Sequence, residues 1–265
     1  MSDLTNLQTR IISALVLGGV VLVDTYFGGT AFRVLAVVIG AAVFVEWRAI
    51  TGQRSGGVIN RVAELILVLS FALLIAGMPP LFVFGAIAVA ALAGVISAFT
   101  GSASRWLPIG ILYAAIPAAS LAFLRGDNAS GLLTVLILFG LVWSTDIFAY
   151  FVGRAIGGPK LAPSISPNKT WSGAIGGAVA AVAIGTMIAF HSEHAGNPLL
   201  PFIILLISIA SQCGDLFESW VKRKFGVKDS GTMIPGHGGM MDRVDGLAVA
   251  ATALYAAVCV FDVIK

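Results

Sequence analysis

The chain has 265 residues, of which 58% are hydrophobic and 11% are charged, with a formal net charge of +3. A soluble domain carries about 25% charged residues, so this composition excludes an ordinary water-soluble globule. The apolar residues occur in continuous runs rather than in alternation, which favours membrane-spanning helices. We therefore predict an all-α polytopic membrane protein.

Nine apolar segments can serve as transmembrane helices, since a span needs about 20 residues, or fewer when flanking side chains reach the interface. In chain order they are Ile11–Val23, Phe32–Trp47, Val62–Ala76, Pro79–Phe99, Leu107–Leu124, Gly131–Val152, Trp171–Phe190, Leu199–Gly214 and Gly246–Ile264. Cys213 and Cys259 lie in apolar surroundings, so we predict free, buried thiols rather than a disulfide.

The distribution of basic residues predicts the orientation. With the amino terminus in the cytoplasm and nine crossings, only Arg33, Arg125 and Lys265 of the 16 basic residues fall on the opposite side. The other thirteen lie in cytoplasmic segments, as the positive-inside rule requires. We therefore place the amino terminus in the cytoplasm and the carboxy terminus on the opposite side.

Two of the predicted cytoplasmic loops are long and polar, residues 153–171 and 215–245. Short connections suffice to join helices, so long polar loops indicate a function.

Three groups of acidic residues lie near the cytoplasmic surface. Asp146 falls within the sixth span, Asp215 and Glu218 lie at the end of the eighth, and Asp242 and Asp245 precede the ninth. An ionised carboxylate inside a membrane needs a partner, a cavity or a metal. Carboxylates one helical turn apart suit Mg²⁺ that also contacts substrate phosphates. The alternative is structural: each acid pairs with a base, as Glu218 can with Lys222, or caps a helix.

The segment Ile234–Gly239 is rich in glycine, which lets backbone N–H groups approach an anion closely. Basic residues flank it: Lys222, Arg223, Lys224, Lys228 and Arg243. Together they predict a site for a triphosphate or a phospholipid headgroup. The alternative is a polybasic patch that attracts anionic lipid.

The loop Pro159–Trp171 offers a second set of anion ligands. Its donors precede the seventh span: Ser166, Asn168, Lys169 and Thr170. Donors at a helix amino terminus favour phosphate binding. The alternative for Thr170 is a helix cap.

Residues 219–245 read SWVKRKFGVKDSGTMIPGHGGMMDRVD. This segment resembles the signature of the phosphatidate cytidylyltransferases, with Ser, Lys-Arg, Lys-Asp, Pro-Gly-His-Gly-Gly and Asp-Arg-x-Asp at the family's spacing. The preceding loop is also similar, with Asp146, Lys160 and the run Ser166–Thr170. One position departs, because many members have Glu where this chain has Ser172. The resemblance is strong over the carboxy-terminal half, so it implies a catalytic region at residues 101–265 with cytoplasmic loops 153–171 and 215–245. Residues 1–100 match only as generic membrane helices, and we interpret them as a scaffold.

The resemblance implies that phosphatidate attacks the α-phosphorus of CTP, giving CDP-diacylglycerol and pyrophosphate. It implies Mg²⁺, with a second metal ion left open, and a homodimer in a bacterial-type inner membrane with the active site facing the cytoplasm. The implied metal ligands are Asp146, Asp215, Asp242 and Asp245. The implied catalytic residues are Asp215, Asp242, Asp245, Lys222 and Arg243. The implied substrate-binding residues are Ser166, Asn168, Lys169, Thr170, Arg223, Lys228, His237, Gly238 and Gly239.

Two other functions remain open at this point. A cation-coupled transporter would use the intramembrane acids as a relay, but it leaves the glycine-rich basic segment without a role. A membrane lipid kinase would also bind nucleotide and lipid phosphates. No nucleic-acid partner is expected.

Overall fold

The computed structural model describes residues 6–53, 57–100, 105–189, 198–234, 236 and 238–264. Within these residues the chain forms nine helices and one short hairpin. They are α1 (Asn6–Phe27), α2 (Gly29–Ile50), α3 (Val58–Ile75), α4 (Pro80–Phe99), α5 (Leu107–Arg125), α6 (Ala129–Ile156), β1 (Lys160–Ala162), β2 (Ser166–Thr170), α7 (Trp171–Ala189), α8 (Leu200–Lys224) and α9 (Met241–Ile264).

The predicted all-α membrane architecture is confirmed. Within the described residues, eight helices are long and apolar enough to cross a bilayer, and the ninth, α1, contains the shorter apolar stretch Ile12–Phe27. Many large apolar side chains on these helices are exposed, as expected of surfaces that face lipid rather than water.

The boundaries of two helices differ from the prediction in a way that matters for the acidic residues. Helix α8 continues ten residues past Gly214, the predicted end, and α9 begins at Met241 instead of Gly246. A hydropathy pattern predicts only the apolar part of a helix. The polar turns at the end of α8 are stabilised instead by contacts such as the ion pair between Glu218 and Lys222. Asp215 and Asp245 therefore lie inside helices rather than in loops.

The predicted loop 153–171 also contains regular structure. Helix α6 extends to Ile156, and β1 pairs antiparallel with β2, with Lys160 opposite Thr170 and Ala162 opposite Ser166. The hairpin leads directly into α7. Its polar residues are therefore held in a fixed backbone conformation.

The prediction for the two cysteines was half wrong. Cys213 and Cys259 are free, as predicted, but both are exposed. The apolar surroundings that the sequence indicated are outward helix faces, which in a membrane protein contact lipid instead of the protein core.

The chain divides into two compact units, residues 1–127 with 227–243, and residues 128–226 with 244–265. In the first unit, Trp47 near the end of α2 is completely buried. Its indole N–H donates to the Trp106 carbonyl at 2.9 Å, and its ring lies 5.2 Å from that of Tyr113. These contacts fix the end of α2.

In the second unit, glycines allow α6 and α7 to pack backbone against backbone. A Cβ atom at Gly173 would lie 2.5 Å from the Ala149 carbonyl oxygen, and one at Gly177 would lie 2.5 Å from that of Thr145. Both distances are too short for any larger residue. Glycine at these positions therefore serves packing within the chain.

Candidate active site

The second unit contains a cluster of acidic residues around one lysine, which we call the lysine–carboxylate cluster: Asp146, Lys169, Asp215 and Asp245. Lys169 in β2 donates to Asp215 in α8, and the two side chains are 29% and 28% exposed. Asp146 in α6 interacts electrostatically with Asp215, Asp245 and Lys169. Four elements thus bring three carboxylates and one ammonium group together.

Close packing of α8 on α9 explains why two of these acids are neighbours. A Cβ atom at Gly214 would lie 2.6 Å from the Asp245 carbonyl oxygen, and one at Gly246 would lie 2.6 Å from the Ser211 hydroxyl. Glycine is therefore needed on both helices, next to Asp215 on one and Asp245 on the other.

Glu218 forms the structural ion pair that the sequence left as an alternative. Its carboxylate is fully buried and lies 3.1 Å from the Lys222 ammonium group, four residues later in α8. It also contacts the carboxyl group of Asp245. Carboxyl groups this close need a shared proton or a cation, and Lys222 supplies a cation beside them. This contact gives Lys222 a structural role, and its predicted catalytic role remains untested.

A cleft of about 570 Å³ opens beside the lysine–carboxylate cluster. Ligand sites in proteins have volumes of about 300–1,000 Å³, so this cleft can hold a nucleotide or a lipid headgroup. Its polar lining residues come from α6, the hairpin and α8: Asp146, Tyr150, Arg154, Lys160, Asn168, Lys169, Thr170, Gln212 and Asp215. Three cations and two carboxylates thus face the same cleft.

The donors predicted in the hairpin have different partners. Lys169 and Asn168 line the cleft, whereas the Thr170 hydroxyl accepts a hydrogen bond from the Gly173 N–H at 3.1 Å. Thr170 therefore caps α7, as its alternative interpretation held, although it also borders the cleft. Ser172 donates to the Gly157 carbonyl, which ties the start of α7 to the end of α6.

Two further predicted residues lie at the edges of the hairpin. Ser166 pairs with Ala162 at the start of β2. Arg223 near the end of α8 donates to the Ile165 carbonyl at 3.4 Å, and its side chain is exposed. Arg223 thus helps to hold the hairpin. Phosphate contact by either residue remains a prediction.

The glycine-rich segment belongs to the first unit and is folded around Asp242. The Ile234 N–H donates to the Gly238 carbonyl at 2.9 Å, and Gly238 adopts a φ of +82° that disfavours other residues. One carboxylate oxygen of Asp242 accepts from the Ser230 N–H, the Ser230 hydroxyl and the Gly239 N–H, at 2.9, 2.8 and 3.0 Å. Asp242 therefore shapes this segment, whether or not it also binds metal.

Three other predicted substrate-binding or catalytic residues lie in or near this segment. Lys228 and Arg243 are exposed, as a phosphate-binding role would require. His237 lies outside the described residues, so the structure does not place it.

Sequence reasoning missed one residue, Glu46. It lies in α2, is 3% exposed, and accepts hydrogen bonds from the Met240 N–H, the Met241 N–H and the Ser230 hydroxyl at 2.8, 2.7 and 3.0 Å. The sequence did contain an indication of its importance, because an acidic residue within an apolar span, here Phe32–Trp47, is unusual. Its position in the amino-terminal spans, interpreted as scaffold, kept it out of the predicted site.

The donor chemistry of the lysine–carboxylate cluster fits Mg²⁺. Within the described residues no three His, Cys, Asp or Glu side chains are close enough to enclose a metal ion. Mg²⁺ does not require such a cage, because it usually binds one or two carboxylates together with substrate phosphates and water. Asp215, which lines the cleft, and the neighbouring Asp245 provide carboxylates of this kind.

The chain is similar to known cytidylyltransferases over nearly its whole length. The sequence model of the cytidylyltransferase family matches residues 8–261. The phosphatidate cytidylyltransferase of Brucella abortus is 49% identical over 252 residues, which cover 95% of this chain and 93% of that protein. The phosphatidate cytidylyltransferase of Rickettsia bellii is 39% identical over 213 residues, 77% of this chain and 91% of that protein. The chain is therefore a membrane nucleotidyltransferase that belongs to the cytidylyltransferase family.

Proposed function

We propose that this protein transfers CMP from CTP to phosphatidate at the cleft beside the lysine–carboxylate cluster. A phosphate oxygen of phosphatidate bonds to the α-phosphorus of CTP, the bond from that phosphorus to the bridging oxygen breaks, and pyrophosphate leaves. The observation that carries the proposal is the placement of Lys169 and Asp215 together in a cleft lined by further cations. The family membership supports the same reaction.

The residues of the cleft fit the demands of this reaction. Nucleotidyl transfer depends on positioning and charge neutralisation, and a phosphate monoester is already a nucleophile. Lys160 and Lys169 are suited to hold the phosphates of CTP, and Asn168 is suited to hydrogen-bond them. Asp215 and Asp245 would hold Mg²⁺, with Asp146 supporting it. Bound Mg²⁺ would neutralise charge on the phosphates.

The Asp215–Lys169 ion pair places a carboxylate and a cation side by side in the cleft. Asp215 would hold Mg²⁺, and Lys169 would donate to a phosphate oxygen of the nucleotide. Both side chains are partly exposed, at 28% and 29%, so a ligand in the cleft can reach them.

A product assay tests the reaction. Purified protein in mixed micelles receives Mg²⁺, phosphatidate and CTP labelled at the α-phosphorus. We expect labelled CDP-diacylglycerol and one equivalent of unlabelled pyrophosphate. A lipid kinase would instead phosphorylate diacylglycerol from γ-labelled CTP, and a transporter would make neither product. Absence of labelled lipid from folded protein would refute the proposal.

We further propose that the active site faces the cytoplasm. The clustering of thirteen basic residues on that side supports this orientation. Single cysteines at Asp229 and Ala129, both exposed, test it in a variant without Cys213 and Cys259. An impermeant thiol reagent should label Asp229→Cys only from the cytoplasm and Ala129→Cys only from outside. Labelling of both from one side would refute the orientation.

We retain the homodimer as a proposal from the family resemblance. Cross-linking in native membranes should give a product of twice the chain mass. A solely monomeric species would contradict it.

A further inference from the structure

Glu46 has the contacts of a residue that shapes the glycine-rich segment. The donors to Glu46 and Asp242 include four backbone N–H groups, those of Ser230, Gly239, Met240 and Met241. The Met240 and Met241 N–H groups lie at the start of α9, where a helix leaves backbone donors unsatisfied. A carboxylate at this position also interacts favourably with the helix dipole.

The backbone lies so close to Glu46 that a larger residue at either of two glycines would displace its carboxylate. A Cβ atom at Gly231 would lie 2.8 Å from one Glu46 oxygen, and one at Gly239 would lie 2.7 Å from both. Both glycines therefore have a structural reason that involves no phosphate. Gly239 is one of the predicted substrate-binding residues. A substitution of Gly239 can therefore weaken substrate binding indirectly, by disturbing the backbone conformation that Glu46 stabilises.

Ser230 connects Glu46 to Asp242. Its hydroxyl lies 3.0 Å from a Glu46 oxygen and 2.8 Å from an Asp242 oxygen, and its side chain is buried. A hydroxyl has one proton, so it donates to one carboxylate at a time. Glu46 and Asp242 therefore share the hydroxyl proton of Ser230. If either carboxylate is removed, the Ser230 hydroxyl donates only to the remaining one.

Helix α2 holds Glu46 rigidly in place. The next residue, Trp47, is completely buried and is fixed by its hydrogen bond to the Trp106 carbonyl. The nearby base Arg48 is engaged with Glu64 of α3 at 3.2 Å. A charged group that is buried, immobile and held by backbone donors can set the conformation of the segment it contacts.

We propose that Glu46 is a positioning residue for nucleotide binding, which acts by holding the turn from Ser230 to Met241 in the conformation that presents Lys228 and Arg243 to phosphate. This inference rests on the proposed function, because it requires that segment to contact substrate. It also gives α2 a role in presenting these two bases, through a side chain that itself binds no phosphate.

Glu46→Gln tests the proposal, because it keeps the size and replaces one acceptor oxygen by a donor group. The Met240 and Met241 N–H groups donate to different oxygens of Glu46, so in glutamine one of them faces the amide NH₂ group whichever way the amide is turned. We expect the KM for CTP to rise roughly tenfold or more. The KM for phosphatidate and the kcat should change less. Hydrogen exchange of residues 228–241 should become faster.

Two further variants make the outcome decisive. Asp127→Asn removes the same charge from an exposed ion pair with Arg33 in the same unit and should keep wild-type kinetics. Glu46→Asp keeps the charge but shortens the reach, so its KM for CTP should lie between those of wild type and Glu46→Gln.

Unchanged KM for CTP in folded Glu46→Gln would overturn the inference. If Glu46→Gln does not fold, Glu46→Asp decides, and wild-type KM with wild-type hydrogen exchange in that variant would likewise overturn it. Failure of the wild-type protein to make CDP-diacylglycerol would refute the proposed function instead. The two failures are therefore distinguishable.

Discussion

The two units of the chain use buried or half-buried acids in opposite ways. In the lysine–carboxylate cluster, Asp215 is 28% exposed, lines a cleft and is compensated by the partly exposed ammonium group of Lys169. In the first unit, Glu46 is 3% exposed and accepts from two backbone N–H groups. A lysine side chain can move away from its carboxylate when a ligand binds, because only side-chain torsions change. A backbone N–H group can move away only if the backbone conformation changes. The first arrangement suits binding, and the second suits the shaping of a loop.

The largest expected effect comes from the acid that faces the cleft. Asp215→Asn keeps the size of the side chain and removes the charge that would hold Mg²⁺, so kcat should fall on the order of a thousandfold. The fold should persist, because Asp215 is partly exposed and Lys169 can turn to solvent. Turnover in mixed micelles at saturating Mg²⁺ and CTP measures the loss.

Asp127→Asn is the matched control for that experiment. Asp127 is also an aspartate in an ion pair, 2.8 Å from Arg33, but its side chain is 63% exposed. Exposed ion pairs contribute about 0–1 kcal/mol, so its removal should leave turnover unchanged. If Asp215→Asn retains more than about a tenth of wild-type turnover, the carboxylate is not an essential ligand.

The sequence predicted the helices well and the polar contacts less well. Hydropathy identifies a span such as that of α4 because its apolar residues must meet lipid, whatever their neighbours are. Hydropathy placed the end of the eighth span at Gly214, whereas α8 ends at Lys224. The last turns of α8 are charged, and they are stabilised by ion pairs such as Glu218–Lys222 rather than by burial in the bilayer. Hydropathy likewise could not separate a lipid-facing thiol from a buried one.

Family resemblance identified Asp215 and Asp245, which the fold brings into one cluster, and the comparisons confirm the predicted family. No motif in the sequence could show that Glu46 contacts residues almost 200 positions later, because such a contact depends on tertiary structure. The predicted metal, the substrate contacts and the division at residue 100 remain predictions.

A second prediction separates the two lysines that pair with acids of α8. Lys222 is 11% exposed and its partner Glu218 is fully buried, so Lys222→Met leaves a buried carboxylate without its cation. Removal of one partner of a buried pair costs about 3–5 kcal/mol, and the residual exposure of Lys222 favours the lower end. We expect the thermal unfolding midpoint in detergent to fall markedly.

Lys169→Met is the comparison for that experiment. Its pair with Asp215 is half-exposed, so the unfolding midpoint should change little while the KM for CTP rises. Lys222→Met leaves the charge of the buried Glu218 carboxylate without its cation. The double variant Lys222→Met with Glu218→Gln removes that charge, so it should regain most of the lost stability. An equal loss of stability in both lysine variants would contradict the distinction between a structural and a substrate-binding lysine.

The smallest expected effect tests whether the glycine-rich segment binds phosphate or only attracts lipid. Lys228 and Arg61 are both exposed, and the predicted topology places both on the cytoplasmic side. Lys228→Gln and Arg61→Gln therefore weaken the attraction to anionic lipid by a similar amount, about 1 kcal/mol. If that attraction were the only role of these bases, both variants would lose activity equally, and added salt would reproduce the loss.

A contact between Lys228 and a substrate phosphate predicts a different result. A charge-assisted hydrogen bond is worth about 1.5–3 kcal/mol, so Lys228→Gln should lower kcat/KM for CTP by at least roughly tenfold. Arg61→Gln should stay close to wild type. The measurement is kcat/KM for CTP in mixed micelles at fixed phosphatidate and two salt concentrations. Because the turn that Glu46 holds is proposed to present Lys228 to phosphate, equal and salt-reproduced losses in the two variants would contradict a phosphate contact by Lys228.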